Sequence, residues 1–188
     1  MASLRLRSKS AIMQFRESCA AEVEDVLRIH RLAFQREDEA ALVARLFLDP
    51  SAQPSLSLLA EMEGERVGHA LFTVLRLVGT ASPVDCALLA PLAVLPSRQR
   101  TGIGRGLIEH GCRVLAGRGI DLVFVLGDPR YYTRCGFRPA IPLGLHAPYP
   151  IEPEEAWMVR ALLPDVPGGV HGTVQCARSL AEEQYWRE

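Results

Sequence analysis

The spacing of hydrophobic and polar residues along this 188-residue chain predicts a mixture of strands and amphipathic helices. Apolar residues recur every three or four positions in some segments and form short runs between Gly, Pro and polar clusters in others. In the first half we predict a strand at Ala11–Arg16, helices at Ser18–Phe34 and Asp38–Leu48, a hairpin of Leu56–Met62 and Val67–Val78 turning at Gly64, and a strand at Cys86–Leu95. In the second half we predict a helix from about Gly102, a strand at Leu122–Leu126, a short helix with two tyrosines, and strands near Phe137, Ala156–Leu162 and Val170–Cys176.

A glycine-rich loop joins the strand at Cys86–Leu95 to the next helix and has the features of an anion site. The apolar run ends at Pro96, a basic segment follows, and Gly102-Ile103-Gly104 opens an amphipathic helix. Free backbone N–H groups and the helix dipole attract a phosphate at such a helix start. Glycine lets the backbone come close to the anion, because a Cβ would block it.

The glycine spacing separates four interpretations of this loop. A nucleotide P-loop needs Lys and then Ser or Thr after its second glycine, and neither follows Gly104. A dinucleotide-binding turn needs G-x-G-x-x-G directly at a strand end, whereas six residues separate Leu95 from Gly102, and the acid Asp121 begins a strand. The pyrophosphate of coenzyme A, and a glycine-rich helix start without a ligand, both stay open at this point.

A second motif follows the strand at Leu122–Leu126. Residues 127–138 read G-D-P-R-Y-Y-T-R-C-G-F-R, in which an acid and a proline start a short helix with Tyr131 and Tyr132. Together the two motifs resemble the GNAT superfamily of acyl-coenzyme A-dependent N-acetyltransferases. Gln99–Gly104 matches its [RQ]-x-x-G-x-[GA] pyrophosphate motif, and Tyr132–Phe137 matches its Tyr-x-x-x-Gly-Phe element. The phrases A-P-L-A-V-L-P and V-L-G-D-P-x-Y-Y resemble the small bacterial YhbS-like subgroup of predicted acetyltransferases.

The resemblance implies a single-domain α/β (α+β) fold of the GNAT type. Its central sheet is mixed and mostly antiparallel, has about six or seven strands, splays between strands 4 and 5, and is flanked by about four helices. The predicted order, antiparallel strands followed by a β-α-β crossover, agrees with this fold. We therefore predict a loose N-terminus over residues 1–10, an acetyltransferase domain over residues 11–176 and a C-terminal tail over residues 177–188.

The resemblance also implies a coenzyme A site and no metal. In the family, N–H groups of the loop bind the pyrophosphate, the pantetheine arm pairs with the fourth strand, and an N–H of that strand (here Leu92 or Val94) faces the thioester oxygen. Arginines at the rim screen the phosphates, and the candidates here are Arg98, Arg100 and Arg105. The coenzyme A-binding residues carried over by the resemblance are Leu92, Ala93, Val94, Gln99, Arg100, Thr101, Gly102, Ile103, Gly104 and Arg105.

Tyr132 matches the family's general acid, three residues before Gly-Phe. A phenol with a pKa of about 10 can protonate a thiolate whose conjugate thiol has a pKa of about 8.5, and it stays protonated at neutral pH. The structural alternative is a core tyrosine that packs its helix onto the sheet. Adjacent residues of a helix point about 100° apart, so we do not expect both Tyr131 and Tyr132 to face the sulfur.

The residues do not identify a general base. Many relatives place a glutamate on the fourth strand, where this chain has Leu88, and the strand from Cys86 to Leu95 carries no acid. The base is therefore water, a residue of another strand, or no dedicated group. Asp85 and His69 are candidates, but an exposed turn acid and a structural histidine are the plainer interpretations.

The acceptor amine is not specified by the sequence. The connection near Gln35–Asp38 lines the acceptor side in this fold, and its acidic residues fit a cationic amine or an ordinary helix start. Glu152, Glu154 and Glu155 support the same two interpretations. In the proline-rich loop that follows the tyrosine motif, the candidates for substrate contact are His146 and Tyr149.

Composition narrows the class of protein. A net charge of −1, from 21 Lys and Arg against 22 Asp and Glu, argues against a general nucleic-acid binder. No apolar run approaches the roughly 20 residues of a membrane span. The five cysteines form no C-x-x-C pair, which argues against a disulfide framework or a zinc site and favours the reducing cytoplasm.

The leading hypothesis is an acetyl-coenzyme A-dependent N-acetyltransferase. It would move an acetyl group to the primary amine of a small molecule or peptide by direct attack in a ternary complex. The alternative is a non-catalytic acyl-coenzyme A-binding sensor or regulatory module, which the missing acid on the fourth strand supports. The late strands of this fold often pair between subunits, so a homodimer stays open.

Overall fold

The computed structural model describes residues 13–80, 83–163 and 170–187. Its strands are β1 (Met13–Glu17), β2 (Leu56–Met62), β3 (Glu65–Val78), β4 (Cys86–Val94), β5 (Leu122–Leu126), β6 (Arg138–Pro139), β7 (Leu145–His146), β8 (Trp157–Ala161) and β9 (Gly172–Gln175). Its α-helices are α1 (Val23–Phe34), α2 (Asp38–Leu48), α3 (Ile103–Gly117) and α4 (Pro129–Tyr132). The predicted loose N-terminus and the first two residues of the strand predicted at Ala11–Arg16 lie outside the described residues.

The strands form an open, mixed and mostly antiparallel sheet with the order β1-β2-β3-β4-β5-β8-β6. β4 and β5 are parallel and are joined by α3 as a crossover, the connection that parallel strands require. β9 pairs with the end of β3 and with β7. This confirms the predicted fold class. The described residues contain nine strands, and eight of them correspond to predicted ones, with β6 lying next to Phe137. The strand that was not predicted is β7, which has two residues and is too short to show an alternation pattern.

α1 and α3 pack on opposite faces of this sheet. Adjacent residues of a strand point to opposite faces. In β3, His69 forms a 2.8 Å hydrogen bond with His30 of α1, whereas Gly68 lies against Ile103 and Leu107 of α3. A Cβ at Gly68 would lie only 3.0 Å from the Ile103 side chain, so glycine at this position lets α3 approach the sheet.

The first helix begins later than predicted. Residues 20–22 form a 3-10 turn, and α1 begins at Val23 rather than near Ser18. The carboxylate of Glu22 accepts hydrogen bonds from Arg16 (2.6 Å) and from the backbone N–H of Cys19 (3.0 Å), so it caps the turn. These bonds, the one from Arg16 above all, hold the pKa of Glu22 well below its usual range.

The residues after 176 pack onto the rest of the chain. Leu180 and Trp186 are buried, and the Trp186 indole N–H donates to the Leu180 carbonyl at 2.7 Å. Asp49, at the end of α2, accepts hydrogen bonds from the N–H (2.8 Å) and hydroxyl (2.9 Å) of Ser179. Residues 177–187 are called the C-terminal segment below. The predicted domain limits, with a tail from residue 177, stay a prediction.

Gly111 sets how closely α3 approaches the sheet. A methyl group at Gly111 would overlap the ring of Phe72, which is 1% exposed and has Leu58 beside it. We therefore expect Gly111→Ala to lower the free energy of unfolding by about 1–3 kcal/mol, in spite of the higher helix propensity of alanine. Urea unfolding followed by circular dichroism measures this change.

The matched control for this substitution is Gly117→Ala in the same helix. A methyl group at Gly117 would meet nothing within 4 Å. Alanine there should leave the free energy of unfolding unchanged or raise it slightly, because only helix propensity changes. Equal effects of the two substitutions would contradict the close packing of α3 at Gly111.

Candidate active site

β4 and β5 separate toward one end of the sheet and leave a gap. Their last paired residues are Leu88 and Phe124. The strands themselves continue to Val94 and Leu126. The predicted splay between strands 4 and 5 is therefore present, and it exposes the edge of β4 from residue 90 onward.

β4 also carries a bulge at the start of this gap. In its pairing with β3, Ala70 lies opposite Leu92 and Phe72 lies opposite Leu89. One residue of β3, Leu71, is therefore opposite two residues of β4, at positions 90 and 91. A bulge bends a strand locally and re-aims the groups that follow it.

Beyond the bulge, β4 directs backbone N–H groups into the gap. The N–H of Leu95 donates to the carbonyl of Val67 in β3 at 2.9 Å. Because the backbone groups of successive strand residues point to opposite sides, the N–H groups of Leu92 and Val94 point away from β3, and that of Ala93 points toward it. The carbonyl of Val94, on the gap side, accepts a hydrogen bond from the Gln99 side chain at 3.1 Å. The geometry agrees with the expected donor edge, and its contact with a thioester stays a prediction.

The loop after β4 leads to a helix start with open N–H groups. Arg100 (φ 61°) and Gly102 (φ 90°) both have left-handed backbone, which residues other than glycine rarely adopt. In α3 the N–H of Gly106 donates to the carbonyl of Gly102 at 2.9 Å. The N–H groups of residues 103–105 precede this bond and have no partner within the helix. A helix start with open N–H groups can bind an anion. That a phosphate binds here stays a prediction.

Three arginines surround the start of α3. Arg100 and Arg105 are exposed, and neither forms an ion pair within the part of the chain that the structure describes. Arg98 lies 3.8 Å from Glu65, and its carbonyl accepts a hydrogen bond from the Thr101 hydroxyl at 2.6 Å. Two of the three cations thus carry charge that no ion pair among the described residues neutralises.

The two tyrosines of α4 have different surroundings. The helix follows Asp128, whose carboxylate accepts a hydrogen bond from the N–H of Arg130 at 2.9 Å. The Tyr131 hydroxyl lies against Gly104 at the start of α3, and burial raises the pKa of Tyr131 to about 12. The Tyr131 and Tyr132 rings are nearly perpendicular, at 82°, with 5.0 Å between their centroids. As expected, the two side chains do not face the same point.

Tyr132 faces a cavity and also packs its helix onto the sheet. Its ring lies over Gly127 and meets Phe137 at 74°, with 5.7 Å between centroids. The same residue lines a cavity of about 730 Å³. The catalytic and the structural interpretation of Tyr132 therefore do not exclude each other.

This cavity has the size of a small-molecule site. Its wall includes the bulged part of β4, the end of β5, the connection from α1 into α2, and the C-terminal segment. Leu92 lines the cavity and also lies beside Gly104 at the start of α3. The cavity and the helix start are therefore at two ends of the same gap. The polar lining residues discussed below are Arg36, Asp38, Glu39, Arg45, Asp128, Tyr185 and Arg187.

The candidate bases named from the sequence lie away from this cavity. Leu88, at the position where many relatives have a glutamate, does line the cavity, but its side chain is apolar and buried. Asp85 precedes the first residue of β4, at the end where β4 and β5 are still paired. His69 is fully buried and is hydrogen-bonded to His30 (2.8 Å) and to Ser57 (2.9 Å).

The structure brings one of the three predicted acceptor regions to the cavity. Arg36, in the connection between α1 and α2, and Asp38, the first residue of α2, line it. Among the described residues, Glu152, Glu154 and Glu155 are not part of its lining. The proline-rich loop does not contribute to it: among the described residues, neither His146 nor Tyr149 is part of the lining. The Tyr149 hydroxyl instead donates to the carbonyl of Ala181 at 2.7 Å, and so it holds the C-terminal segment.

Sequence reasoning missed the contribution of the C-terminal segment. Leu180 and residues 184–187 form part of the cavity wall, which is not expected of a C-terminal tail. The one available signal was the aromatic pair Tyr185-Trp186 in an otherwise polar stretch. Arg45 of α2 was missed as well, because it follows an ordinary helical pattern.

The residues that the structure describes hold neither a metal-binding cluster nor a membrane-spanning helix. They contain no group of three or more His, Cys, Asp or Glu side chains arranged to hold a metal ion. None of the helices found in them is both long enough and apolar enough to cross a membrane.

The fold and the gap agree with a family assignment made from the sequence. Residues 23–137, more than half of the chain, match the model of the Acetyltransferase (GNAT) family. The chain therefore belongs to the GNAT family and is an acyltransferase of the N-acetyltransferase class.

Two relatives from Escherichia coli share most of its length. The chain is 44% identical over 161 residues to the uncharacterized N-acetyltransferase YjhQ of strain K12, covering 84% of this chain and 88% of YjhQ. It is 33% identical over 146 residues to the uncharacterized N-acetyltransferase YhbS of the same strain, covering 77% of this chain and 84% of YhbS. The predicted family and subgroup are confirmed.

Solved structures agree with the fold. The crystal structure of Escherichia coli YhbS in complex with CoA has a TM-score of 0.85 and 27% identity, covering 94% of this chain and 96% of that one. A GNAT family acetyltransferase from Brucella melitensis in complex with acetyl-CoA has a TM-score of 0.71 and 27% identity, covering 90% and 98%.

Proposed function

We propose that this enzyme transfers the acetyl group of acetyl-coenzyme A to a primary amine by direct attack in a ternary complex. The observation that carries the proposal is the gap between β4 and β5, which has an anion-binding helix start at one end and a cavity with Tyr132 at the other. Leu92 adjoins both ends. The complexes of YhbS with CoA and of the Brucella protein with acetyl-CoA support this donor.

The donor is held along this gap in our proposal. The open N–H groups at residues 103–105 and the loop from Gln99 receive the pyrophosphate, and Arg100 and Arg105 neutralise phosphate charge. The pantetheine arm runs along the unpaired edge of Leu92–Val94. Fixing the thioester in this way removes translational and rotational freedom before the reaction begins.

The transfer needs one nucleophilic attack and one proton. The neutral amine nitrogen attacks the thioester carbon, and the carbonyl electrons move to the oxygen, which the N–H of Leu92 or Val94 stabilises. When the carbonyl re-forms, the carbon–sulfur bond breaks and the thiolate takes the hydroxyl proton of Tyr132. The amide nitrogen releases its extra proton to solvent, and Tyr132 is reprotonated from solvent.

No dedicated base is assigned in this proposal. Asp128 is the acid of the cavity wall nearest to Tyr132 in the chain, and its hydrogen bonds with Arg130 lower its pKa. A carboxylate of this kind attracts an ammonium but is a poor acceptor for its proton. The acceptor therefore reacts in the fraction that has already lost its proton to water.

The non-catalytic sensor is not favoured. Its support was the missing acid on β4, and a base supplied by solvent accounts for that absence. The acyltransferase family to which the chain belongs and the cavity beside Tyr132 both favour transfer.

The experiment that tests the function is thiol release from acetyl-coenzyme A. The purified enzyme is mixed with acetyl-coenzyme A and a panel of primary amines and peptides, and free thiol is measured together with the mass of the acetylated product. Amine-dependent thiol release supports the proposal. Tight binding of acetyl-coenzyme A without transfer to any amine would contradict the proposal and favour the non-catalytic sensor.

The exposed arginines at the start of α3 should control donor affinity. We expect the double variant Arg100→Gln, Arg105→Gln to raise the Kd for coenzyme A about tenfold or more, because two charge-assisted contacts to phosphate are lost. Calorimetric titration measures this Kd. Arg113→Gln, later in the same helix, is the control for loss of one exposed charge and should change the Kd little. An equal increase in the Kd of the double variant and of Arg113→Gln would mean that the overall positive charge of the protein, and not contacts with phosphate, sets the affinity.

We further propose that the enzyme works in the cytoplasm as one acetyltransferase domain, predicted over residues 11–176, and that the C-terminal segment completes the wall of its cavity. All five cysteines are free thiols, and three of them are buried. Burial raises the pKa of Cys86 to about 12 and that of Cys112 to about 11, which keeps both thiols protonated and unreactive. Free thiols fit a reducing compartment. Sedimentation measures whether the enzyme forms a homodimer.

A further inference from the structure

Three arginines line the cavity, and two of them are already neutralised. Arg36 hydrogen-bonds the carboxylate of Glu39 through its Nε (3.1 Å) and a terminal nitrogen. Arg187 pairs with Glu183 at 2.8 Å. Arg45 is different, because it forms no ion pair with any residue within 13–80, 83–163 and 170–187.

Arg45 is held in position by a ring and a hydroxyl instead of an acid. Its guanidinium carbon lies 5.6 Å from the centroid of the Tyr185 ring, and a terminal nitrogen donates to the Tyr185 hydroxyl. These contacts use one of five N–H donors and leave the positive charge uncompensated. Tyr185 belongs to the C-terminal segment, which Asp49 anchors through Ser179. Arg45 thus extends from α2, and Tyr185 of the C-terminal segment holds its guanidinium in place.

The acidic residues of the same cavity differ in how far they are compensated. Glu39 is paired with Arg36, and Asp128 is paired with Arg130 at 2.9 Å. Asp38 forms no ion pair among the described residues. The lining thus has one cation without an ion pair among the described residues, Arg45, and one anion without an ion pair, Asp38, although the charge of Asp38 also acts on Arg36. This pairing suits a ligand that carries both charges.

We propose that the acceptor is a small amine that also carries a carboxylate, and that Arg45 binds this carboxylate. The inference rests on the proposed acetyltransferase function. The planar guanidinium fork matches a carboxylate in geometry as well as in charge. The amine of the same molecule lies toward Tyr132 and the thioester. A cavity of about 730 Å³ holds a molecule of amino-acid size.

Matched pairs of amines test this assignment. Each pair has an amino acid and its decarboxylated amine: tyrosine with tyramine, lysine with cadaverine, arginine with agmatine, and β-alanine with ethylamine. We expect kcat/KM to be about tenfold or more higher for the carboxylate member of the best pair. O-Phosphoethanolamine is an amine that carries a phosphate instead of a carboxylate. A higher kcat/KM for O-phosphoethanolamine than for β-alanine would contradict the assignment of a carboxylate to this site.

Variants of two cavity arginines then connect the preference to one residue. Arg45→Gln should remove the preference by raising KM for the amino acid about 10- to 100-fold, with the decarboxylated amine unaffected. Arg45→Lys should restore part of it, because the charge returns without the fork. Arg187→Gln, at an arginine already paired with Glu183, should keep the preference. Loss of the preference in Arg187→Gln but not in Arg45→Gln would overturn the assignment.

A binding measurement separates failure of this inference from failure of the proposed function. Each amino acid is titrated by calorimetry into the enzyme saturated with coenzyme A, and again into Arg45→Gln. Binding that depends on Arg45, without any acetyl transfer, would support the carboxylate site and contradict the acetyltransferase function. Transfer to amines without a carboxylate preference would contradict the site and leave the function standing. Absence of both binding and preference overturns the inference.

Discussion

Replacing Tyr132 by phenylalanine is expected to lower kcat about 100-fold and to leave the KM for acetyl-coenzyme A nearly unchanged. Phenylalanine keeps the ring that packs on Phe137 and lies over Gly127. What is lost is the hydroxyl, so the proton for the departing thiolate has to come from water. An interaction made only in the transition state lowers kcat without changing ground-state binding, which is why KM should stay the same.

The neighbouring tyrosine supplies the matched control. Tyr131→Phe removes the same hydroxyl one residue away, at the start of α3 instead of in the cavity. We expect it to change the KM for acetyl-coenzyme A more than kcat. Both variants are measured by thiol release across the pH range in which the wild type is active, and circular dichroism verifies that each is folded. Unchanged turnover of Tyr132→Phe over that whole range would remove Tyr132 from the role of general acid.

Elements with a strong local signal could be predicted from the sequence. The helix α2 has the predicted limits, Asp38–Leu48, because an acidic first turn begins it and Asp49-Pro50 ends it. The strand β5 also has its predicted limits, since an apolar run ends at Gly127. The glycine-rich loop and the tyrosine motif could be located in the sequence for a similar reason, because each lies within a dozen residues of continuous chain.

The turn of the β2–β3 hairpin shows where the local signal becomes weak. The second strand begins at Glu65, two residues before the predicted start at Val67. Glu63 (φ 54°) and Gly64 (φ 83°) form a two-residue turn in which both have left-handed backbone. That turn matches the twist of a hairpin and extends the pairing to the polar residues next to it. The alternation pattern does not include those residues, because they are not apolar.

The composition of the cavity could not be predicted from the sequence. Arg45 and Tyr185 are 140 positions apart, and Asp49 and Ser179 are 130 positions apart. Such contacts depend on how whole elements pack, which no periodicity encodes. The same is true of the bulge at residues 90 and 91, because it is a property of the pairing of β4 with β3. The motifs of the proposed donor site were therefore visible in the sequence, whereas the lining of the cavity required the three-dimensional structure.

The stability of the protein is expected to fall as the pH is lowered from about 7 to about 4.5, because of a buried histidine pair. His30 and His69 are both fully buried, and their rings share a 2.8 Å hydrogen bond. Burial lowers the pKa of His30 to about 4 and holds that of His69 well below its usual range. Each histidine therefore binds a proton more readily in the unfolded chain than in the folded one.

The sign and the size of the effect follow from this difference. In the interval between about 6.5 and about 4 the unfolded chain takes up protons that the folded protein does not, so acid favours unfolding there. The contribution of the two histidines to the free energy of unfolding is complete above their pKa in the unfolded chain, and it decreases as the pH falls below that value. For His30 alone the difference corresponds to roughly 3 kcal/mol, because one pKa unit is about 1.4 kcal/mol.

A variant without the two imidazoles separates this effect from acid denaturation by carboxylates. Glu22 and Asp49 also have pKa values far below their usual range, held there mainly by hydrogen bonds from Arg16 and Ser51 respectively. Their contribution is complete above the unfolded carboxyl pKa of about 4.3 and is lost only as the pH falls further. Between about pH 7 and about pH 4.5, the change in the free energy of unfolding therefore comes mainly from histidines.

The measurement is the free energy of urea unfolding at several pH values for the wild type and for the double variant His30→Leu, His69→Leu. The wild type should lose several kcal/mol between about pH 7 and about pH 4.5, and the variant should lose much less. The slope is the quantity to compare, because the leucines also change the packing against Phe34 and Phe47. The partly exposed His110 is present in both proteins, so its contribution cancels in the difference between the slopes. Parallel curves for the two proteins would mean that the pair titrates in the folded state as it does in the unfolded one, and that its burial does not exclude protons.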